Sequence, residues 1–135
     1  MTVLTWNHAS SVGVRVLDQQ HGILLDTLNE LGVAIASGAH ATVLSEIVAR
    51  LIDFTRRHFE TEEILMERFE YPESEEHISE HKRMLAQIAD AARAMQHGEP
   101  LHLRTLTGFL RKWFVSHIEG ADHEYGEWLN RQGID

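Results

Sequence analysis

The sequence predicts an all-α protein, an up-down-up-down antiparallel four-helix bundle preceded by an N-terminal arm. Two observations predict it. Three breaks, Ser37-Gly38-Ala39-His40, Glu70-Tyr71-Pro72-Glu73 and His97-Gly98-Glu99-Pro100, contain both prolines of the chain and divide it into four segments of helical length. Within each segment apolar residues recur at helical spacing. Short connections between consecutive helices favour antiparallel neighbours.

Residues 1–18 lack a helical period and are expected to form an ordered arm that packs Leu4 and Trp6 on the bundle, which spans about residues 19–131. The first helix is expected over 19–37, with His21, Leu25, Leu28 and Ile35 on its inner stripe and Gly38 as a left-handed cap. The second, over 42–69, presents Ile47, Leu51, Phe54, His58, Glu62, Leu65 and Phe69. The third, over 74–97, presents His77, His81, Met84, Ile88 and Met95; Ser74 suits its N-cap, and Glu75 and Glu76 complement the dipole of its first turn. The fourth, over 102–131, presents Leu103, Leu106, Leu110, Trp113, His117 and Tyr125.

A chain of 135 residues forms one domain with a real core, here 1–135 as a whole. The 43% hydrophobic and 24% charged residues are ordinary for a globular protein, and no apolar run is long enough to suggest a membrane span. No signal peptide is visible at the N-terminus, and a cytoplasmic location is expected. With no cysteine, disulfides, thiolate zinc sites, iron–sulfur clusters and cysteine nucleophiles are excluded together. The net charge of −9 lacks the basic face that nucleic-acid binding needs, so no nucleic-acid partner is expected.

Ten histidines in so short a chain need an explanation. His58 and Glu62 interrupt an otherwise apolar stripe at i, i+4, which puts them on one face a turn apart. His77 and His81 repeat that spacing on the next helix, His21 opens the stripe of the first, and His117 lies in the stripe of the fourth. One core histidine bonded to a carbonyl is commonplace. Imidazole sent inward by every helix calls for a shared cation, because isolated buried polar groups are costly. Nitrogen with carboxylate and no thiolate suits iron, zinc, copper or manganese rather than calcium or magnesium. Five nitrogens and a carboxylate exceed one tetrahedral zinc, so two metals are expected.

Asp18-Gln19-Gln20-His21, His58-Phe59-Glu60-Thr61-Glu62-Glu63, His77-x-x-x-His81 and Trp113-Phe114-Val115-Ser116-His117-Ile118-x-x-x-Asp122 together resemble the hemerythrin family in its bacterial single-domain form, from about Trp6 to Trp128. The resemblance implies two non-haem iron ions with an oxo or hydroxo bridge. It assigns His77, His81 and His117 to one iron, His21 and His58 to the other, and Glu62 and Asp122 to both as bridges. His117 and Asp122 are five residues apart, about 140° around an ideal helix. Either they flank the site from opposite sides or a π-like widening brings them together.

By the same resemblance the iron with two histidines keeps an open position that takes dioxygen reversibly, and Leu24, Phe59, Trp113, Phe114 and Ile118 enclose it as a dry pocket. Phe114 departs from the leucine common in the family. The expected function is therefore oxygen carriage, storage or delivery, without enzymatic turnover, dioxygen being the partner and an unidentified protein its acceptor. The competing readings are an oxygen or redox sensor acting through a partner, a di-iron oxidase or peroxidase, and iron or nitric oxide handling. The Glu-x-x-His pairs typical of ferritin-like oxidases are lacking apart from Glu99-Pro100-Leu101-His102 in a connection. Glu60 and Glu63 are expected on the surface. Asp18 and Gln20 fit either support of ligand imidazoles or capping of the first helix, and Tyr125 is expected as core packing. His8, His40, His97, His102 and His123 are assigned no role.

Overall fold

The computed structural model describes residues 11–96 and 100–135. Its helices are α1 (Arg15–Ala36), α2 (Ala41–Phe69), α3 (Ser74–Gln96), α4 (Pro100–His117) and α5 (His123–Arg131), with a π-helical turn, Ile118–Asp122, joining the last two. α1 packs on α2 and α4, and α3 packs on α2 and α4, which is the four-cornered arrangement of a bundle. Among the described residues no helix is long and apolar enough to cross a membrane. Leu4, Trp6, His8 and His97 lie outside the described residues, as do the side chains of Met95, His102, Leu103 and Leu106.

The breaks do what their residues dictate. Gly38, at φ 72°, follows α1, and the Gly38 and Ala39 amides donate to the carbonyls of Ile35 and Ala34. At the end of α2 the left-handed position falls to Glu70 (φ 57°), a residue that adopts this region less readily than glycine, with Pro72 soon after. Ser74 is the first residue of α3 rather than its cap: the Glu73 carbonyl already accepts from the His77 amide. Pro100 opens α4, where its fixed φ suits the first turn.

The inner faces are wider than the predicted stripes. Of the expected residues Ile35, Phe54, Leu65, Phe69 and Trp113 are only partly buried, whereas Leu17, Leu24, Leu31, Val48, Met66, Phe59, Phe114, Ile118 and Leu129 beside them are buried. Whole inner faces, about 100° wide or more, thus join one core.

The arm is shorter than expected, because α1 begins at Arg15 and not near residue 19. The cause is Asp18. Its carboxylate accepts from the Ser11 hydroxyl at 2.7 Å and the Val12 amide at 2.9 Å, so the segment before α1 is tied to the helix's first turn. Val12 and Val14 are buried, and Asn130 of α5 donates to the Gly13 carbonyl at 2.9 Å. This clamp depends on Gly126: a Cβ there would lie 1.9 Å from the Val12 carbonyl oxygen.

Two glycine-to-alanine changes should consequently have opposite signs. Gly108→Ala meets open space within α4 and should stabilise by up to about 1 kcal/mol. Gly126→Ala should destabilise by about 1–3 kcal/mol, because the Val12 backbone must move. Denaturant midpoints of the two variants check this; equal shifts would show that residues 11–14 are not clamped on α5.

Candidate metal centre

Each helix of the bundle delivers part of one buried cluster. His21 comes from α1, His58 and Glu62 from α2, His77 and His81 from α3, His117 from the last residue of α4, and Asp122 from the π-helical turn. None of the seven is more than 6% exposed. The π turn resolves the five-residue spacing. Its i→i+5 hydrogen bonding widens the helix by one residue, so that Asp122 sits above His117 with Oδ1 3.0 Å from its Nε2.

The cluster divides in two. Donor atoms of Glu62, His77, His81, His117 and Asp122 all lie within 4.8 Å of one another, as do those of His21, His58, Glu62 and Asp122. Both carboxylates belong to both groups. Glu62 Oε1 is 2.9 Å from His58 Nε2 and 3.5 Å from His81 Nε2, and Oε2 is 3.5 Å from His77 Nε2. Asp122 Oδ2 is 3.0 Å from His21 Nε2, and Oδ1 is 2.9 Å from His77 Nε2.

Proximity is not the same as satisfaction here. The Nε2 atoms of His58, His77, His81 and His117, both oxygens of Glu62 and Oδ1 of Asp122 are buried without a hydrogen-bond partner of suitable geometry. Nitrogen and oxygen atoms gathered this closely, most of them without a hydrogen-bond partner, are what metal cations satisfy. The donor set fits a borderline metal such as iron.

The electrostatics of the metal-free cluster tell the same story. Burial and the neighbouring Asp122 push the Glu62 carboxyl up, but the imidazoles of His58 and His77 outweigh them and hold it well below the usual carboxylate range. Burial likewise opposes the Asp122 charge, yet His117, His21 and His77 keep its carboxyl well below normal. His77 answers them. Burial alone would lower it, but Asp122 and Glu62 raise it to about 10.

Behind the cluster stand further polar groups. Gln20 Oε1 accepts from His58 Nδ1 at 2.7 Å while its own amide nitrogen donates to Thr61 at 3.0 Å, so Gln20 supports a ligand imidazole rather than capping α1. Asp18 serves the arm instead. His117 Nδ1 pairs with Glu80 Oε2 at 3.1 Å, which sequence reasoning missed. Glu63, expected to face solvent, is only 33% exposed and lies 3.5 Å from His81 Nδ1. No local spacing marks either carboxylate, because each partner histidine sits on another helix. Tyr125 goes beyond packing. Its hydroxyl donates to the Glu62 carbonyl at 2.9 Å, and burial together with Glu62 and Asp122 drives its pKa upward, so it stays protonated. His40 precedes α2 and His123 pairs with Glu127 at 3.7 Å, apart from the cluster.

Of the expected pocket residues, Leu24, Phe59, Phe114 and Ile118 are buried and Trp113 partly so. Phe59 stacks on His81 (centroids 3.7 Å apart, 3° between planes) and Trp113 on His117 (4.3 Å, 15°). The two rings therefore lie against the three-histidine group, and Phe114 meets Trp113 edge-on at 5.2 Å.

Residues 12–129 match the family model of the hemerythrin HHE cation binding domain. The chain is similar to the bacteriohemerythrin of Stenotrophomonas maltophilia, with 35% identity over 94% of this chain and 82% of the relative. It is 31% identical to that of Methylococcus capsulatus, over 96% and 99% of the two chains. Among solved structures, a wild-type hemerythrin superposes with a TM-score of 0.85 at 29% identity, covering 93% of this chain and 97% of the other. A leucine-to-alanine variant of hemerythrin gives the same TM-score at 30% identity, covering 94% and 97%.

Because His77 is raised to about 10, it holds a proton at pH 7 in the metal-free chain, and a metal at Nε2 must displace it. Metal uptake at pH 7 should release about one proton from this group, and affinity should rise with pH until about 10. Calorimetric titration in buffers of different ionisation enthalpy measures the release. An affinity that is flat between pH 7 and pH 9 would contradict the assignment of His77.

Proposed function

The chain belongs to the hemerythrin family, and from that premise we propose that it binds dioxygen reversibly at two non-haem irons joined by an oxo or hydroxo bridge, for oxygen carriage, storage or delivery to a protein acceptor. The observation that carries the reading is the division of the buried cluster into a three-histidine group and a two-histidine group that share both carboxylates. Three imidazoles, Glu62, Asp122 and one bridging oxygen would make six donors for an ion held by His77, His81 and His117. An ion held by His21 and His58 would have five, which would leave one place for a ligand. Two ferrous ions in these places would supply the electrons that hold dioxygen and recover them on its release.

The residues of the chain do the rest. Five imidazoles against two carboxylates favour binding over oxidation, in contrast to carboxylate-rich oxidase sites. Gln20 fixes the ring of His58, so its Nε2 lone pair faces the cluster. Leu24, Phe59, Trp113, Phe114 and Ile118 are apolar and, Trp113 apart, closed to solvent; Phe59 also lies 5.9 Å from the His58 ring, and together they would keep water from a ligand held there. Tyr125 anchors the α2 backbone at Glu62.

The test is the visible spectrum of the reduced, iron-loaded protein. An oxygen-dependent absorption band should appear in air and vanish on deoxygenation over repeated cycles; oxidation after a single exposure would overturn the reading. Phe114 should set how long the oxygenated form lasts. Phe114→Ala removes a fully buried ring, at a cost of about 3–5 kcal/mol, and admits water; Phe114→Leu should preserve more of the shielding. At equal iron occupancy the band should decay fastest in Phe114→Ala. Equal decay in wild type and both variants would reduce Phe114 to packing alone.

A further inference from the structure

All seven ligands are enclosed, so a metal ion has to pass the wall of the bundle to reach them. Two neighbouring surface cavities touch the cluster. One, of about 160 Å³, is bounded by Tyr71, Glu73, Glu76, Glu124 and the edge of His77. The other, of about 350 Å³, reaches His117 and also contains Arg83. Glu80 and Ala121 form part of both. The smaller cavity thus gathers four carboxylates with no lysine or arginine in its wall.

A group of carboxylates alone would be unremarkable on a chain of net charge −9. What distinguishes this one is the side chain behind it. The His77 ring is 3% exposed, forms part of the cavity wall, and turns its Nε2 inward to the cluster, 2.9 Å from Asp122 Oδ1. Glu80 also connects the cavity to His117 through its 3.1 Å contact with Nδ1.

We propose that this acidic cavity is the port through which divalent metal enters the buried centre, Glu73, Glu76 and Glu124 collecting the hydrated cation and Glu80 passing it to the edge of His77 and His117. The inference rests on the two-metal reading of the cluster. Its chemical logic is a gradient of donors. Exposed carboxylates attract hydrated divalent ions and release them quickly, whereas imidazole binds late first-row metals more firmly, so the ion moves inward.

The test is the rate at which Co²⁺ enters the full-length, metal-stripped protein, followed by its visible absorption in stopped flow. The port variant is Glu73→Gln/Glu76→Gln/Glu124→Gln. A control, Asp26→Asn/Glu46→Gln/Glu60→Gln, removes the same charge from exposed positions on α1 and α2. The port variant should load at least about tenfold more slowly than wild type, with a weaker dependence on ionic strength and the same final occupancy, while the control stays within about twofold. Port and control variants loading at one rate would overturn the proposal while leaving the metal centre intact. A port variant that loads at the wild-type rate but to lower occupancy would overturn it as well, since these residues would then hold the metal rather than admit it. A wild-type protein that takes up no Co²⁺ would overturn the two-metal reading itself, and the port with it.

Discussion

Two carboxylates buried at the centre of a helical bundle, facing the Nε2 atoms of five imidazoles, are the constraint on which the rest of this structure depends. Removing a charged group from water costs several kcal/mol even after relaxation, and it is tolerated only beside a compensating charge. In the metal-free chain that compensation is partial. His77 takes a proton, yet most of the facing donor atoms stay without hydrogen bonds. Cations at the centre resolve the imbalance, and metal binding is therefore coupled to the stability of the bundle.

Several local features follow from serving that centre. The π turn at Ile118–Asp122 departs from regular helix where His117 and Asp122 must face the same cluster from five residues apart. Gln20 and Glu80 fix the rings of His58 and His117 from neighbouring helices, and Tyr125 ties α2 to α5 beside Glu62. Stacking of Phe59 on His81 and Trp113 on His117 holds two more rings in place with apolar surface. The outer support differs between the groups. His81 and His117 face carboxylates, whereas His58 meets a neutral amide. The hydrogen-bonded carboxylate of Glu80 raises the basicity of the His117 imidazole, which the neutral amide at His58 does not do for its ring.

Much of this was legible in the sequence, for physical reasons that can be named. The helices could be read because their breaks contain proline and glycine and their apolar residues keep a 3.6-residue period. The buried cluster could be read because i, i+4 spacing within a helix fixes a shared face, as in His58 with Glu62 and His77 with His81. Contacts formed between helices were less accessible. Nothing near Glu80 in the chain announces His117, and Glu63 was placed in solvent by its position on an ideal wheel. The start of α1 was missed because the side chain of Asp18 and the distant Gly126 together order residues 11–14, a clamp that leaves no periodic trace. Spacing alone also left two arrangements of His117 and Asp122 open, since the register of a helix changes wherever its hydrogen bonding does.

The central claim is that these seven side chains form one centre for two metal ions, with Glu62 and Asp122 common to both. Metal analysis of protein from iron-replete cells, read together with Mössbauer spectra, tests it most directly. The account predicts two irons per chain in inequivalent sites that are magnetically coupled through the shared bridges. A single tightly bound metal per chain at saturation, or two irons without coupling, would contradict it.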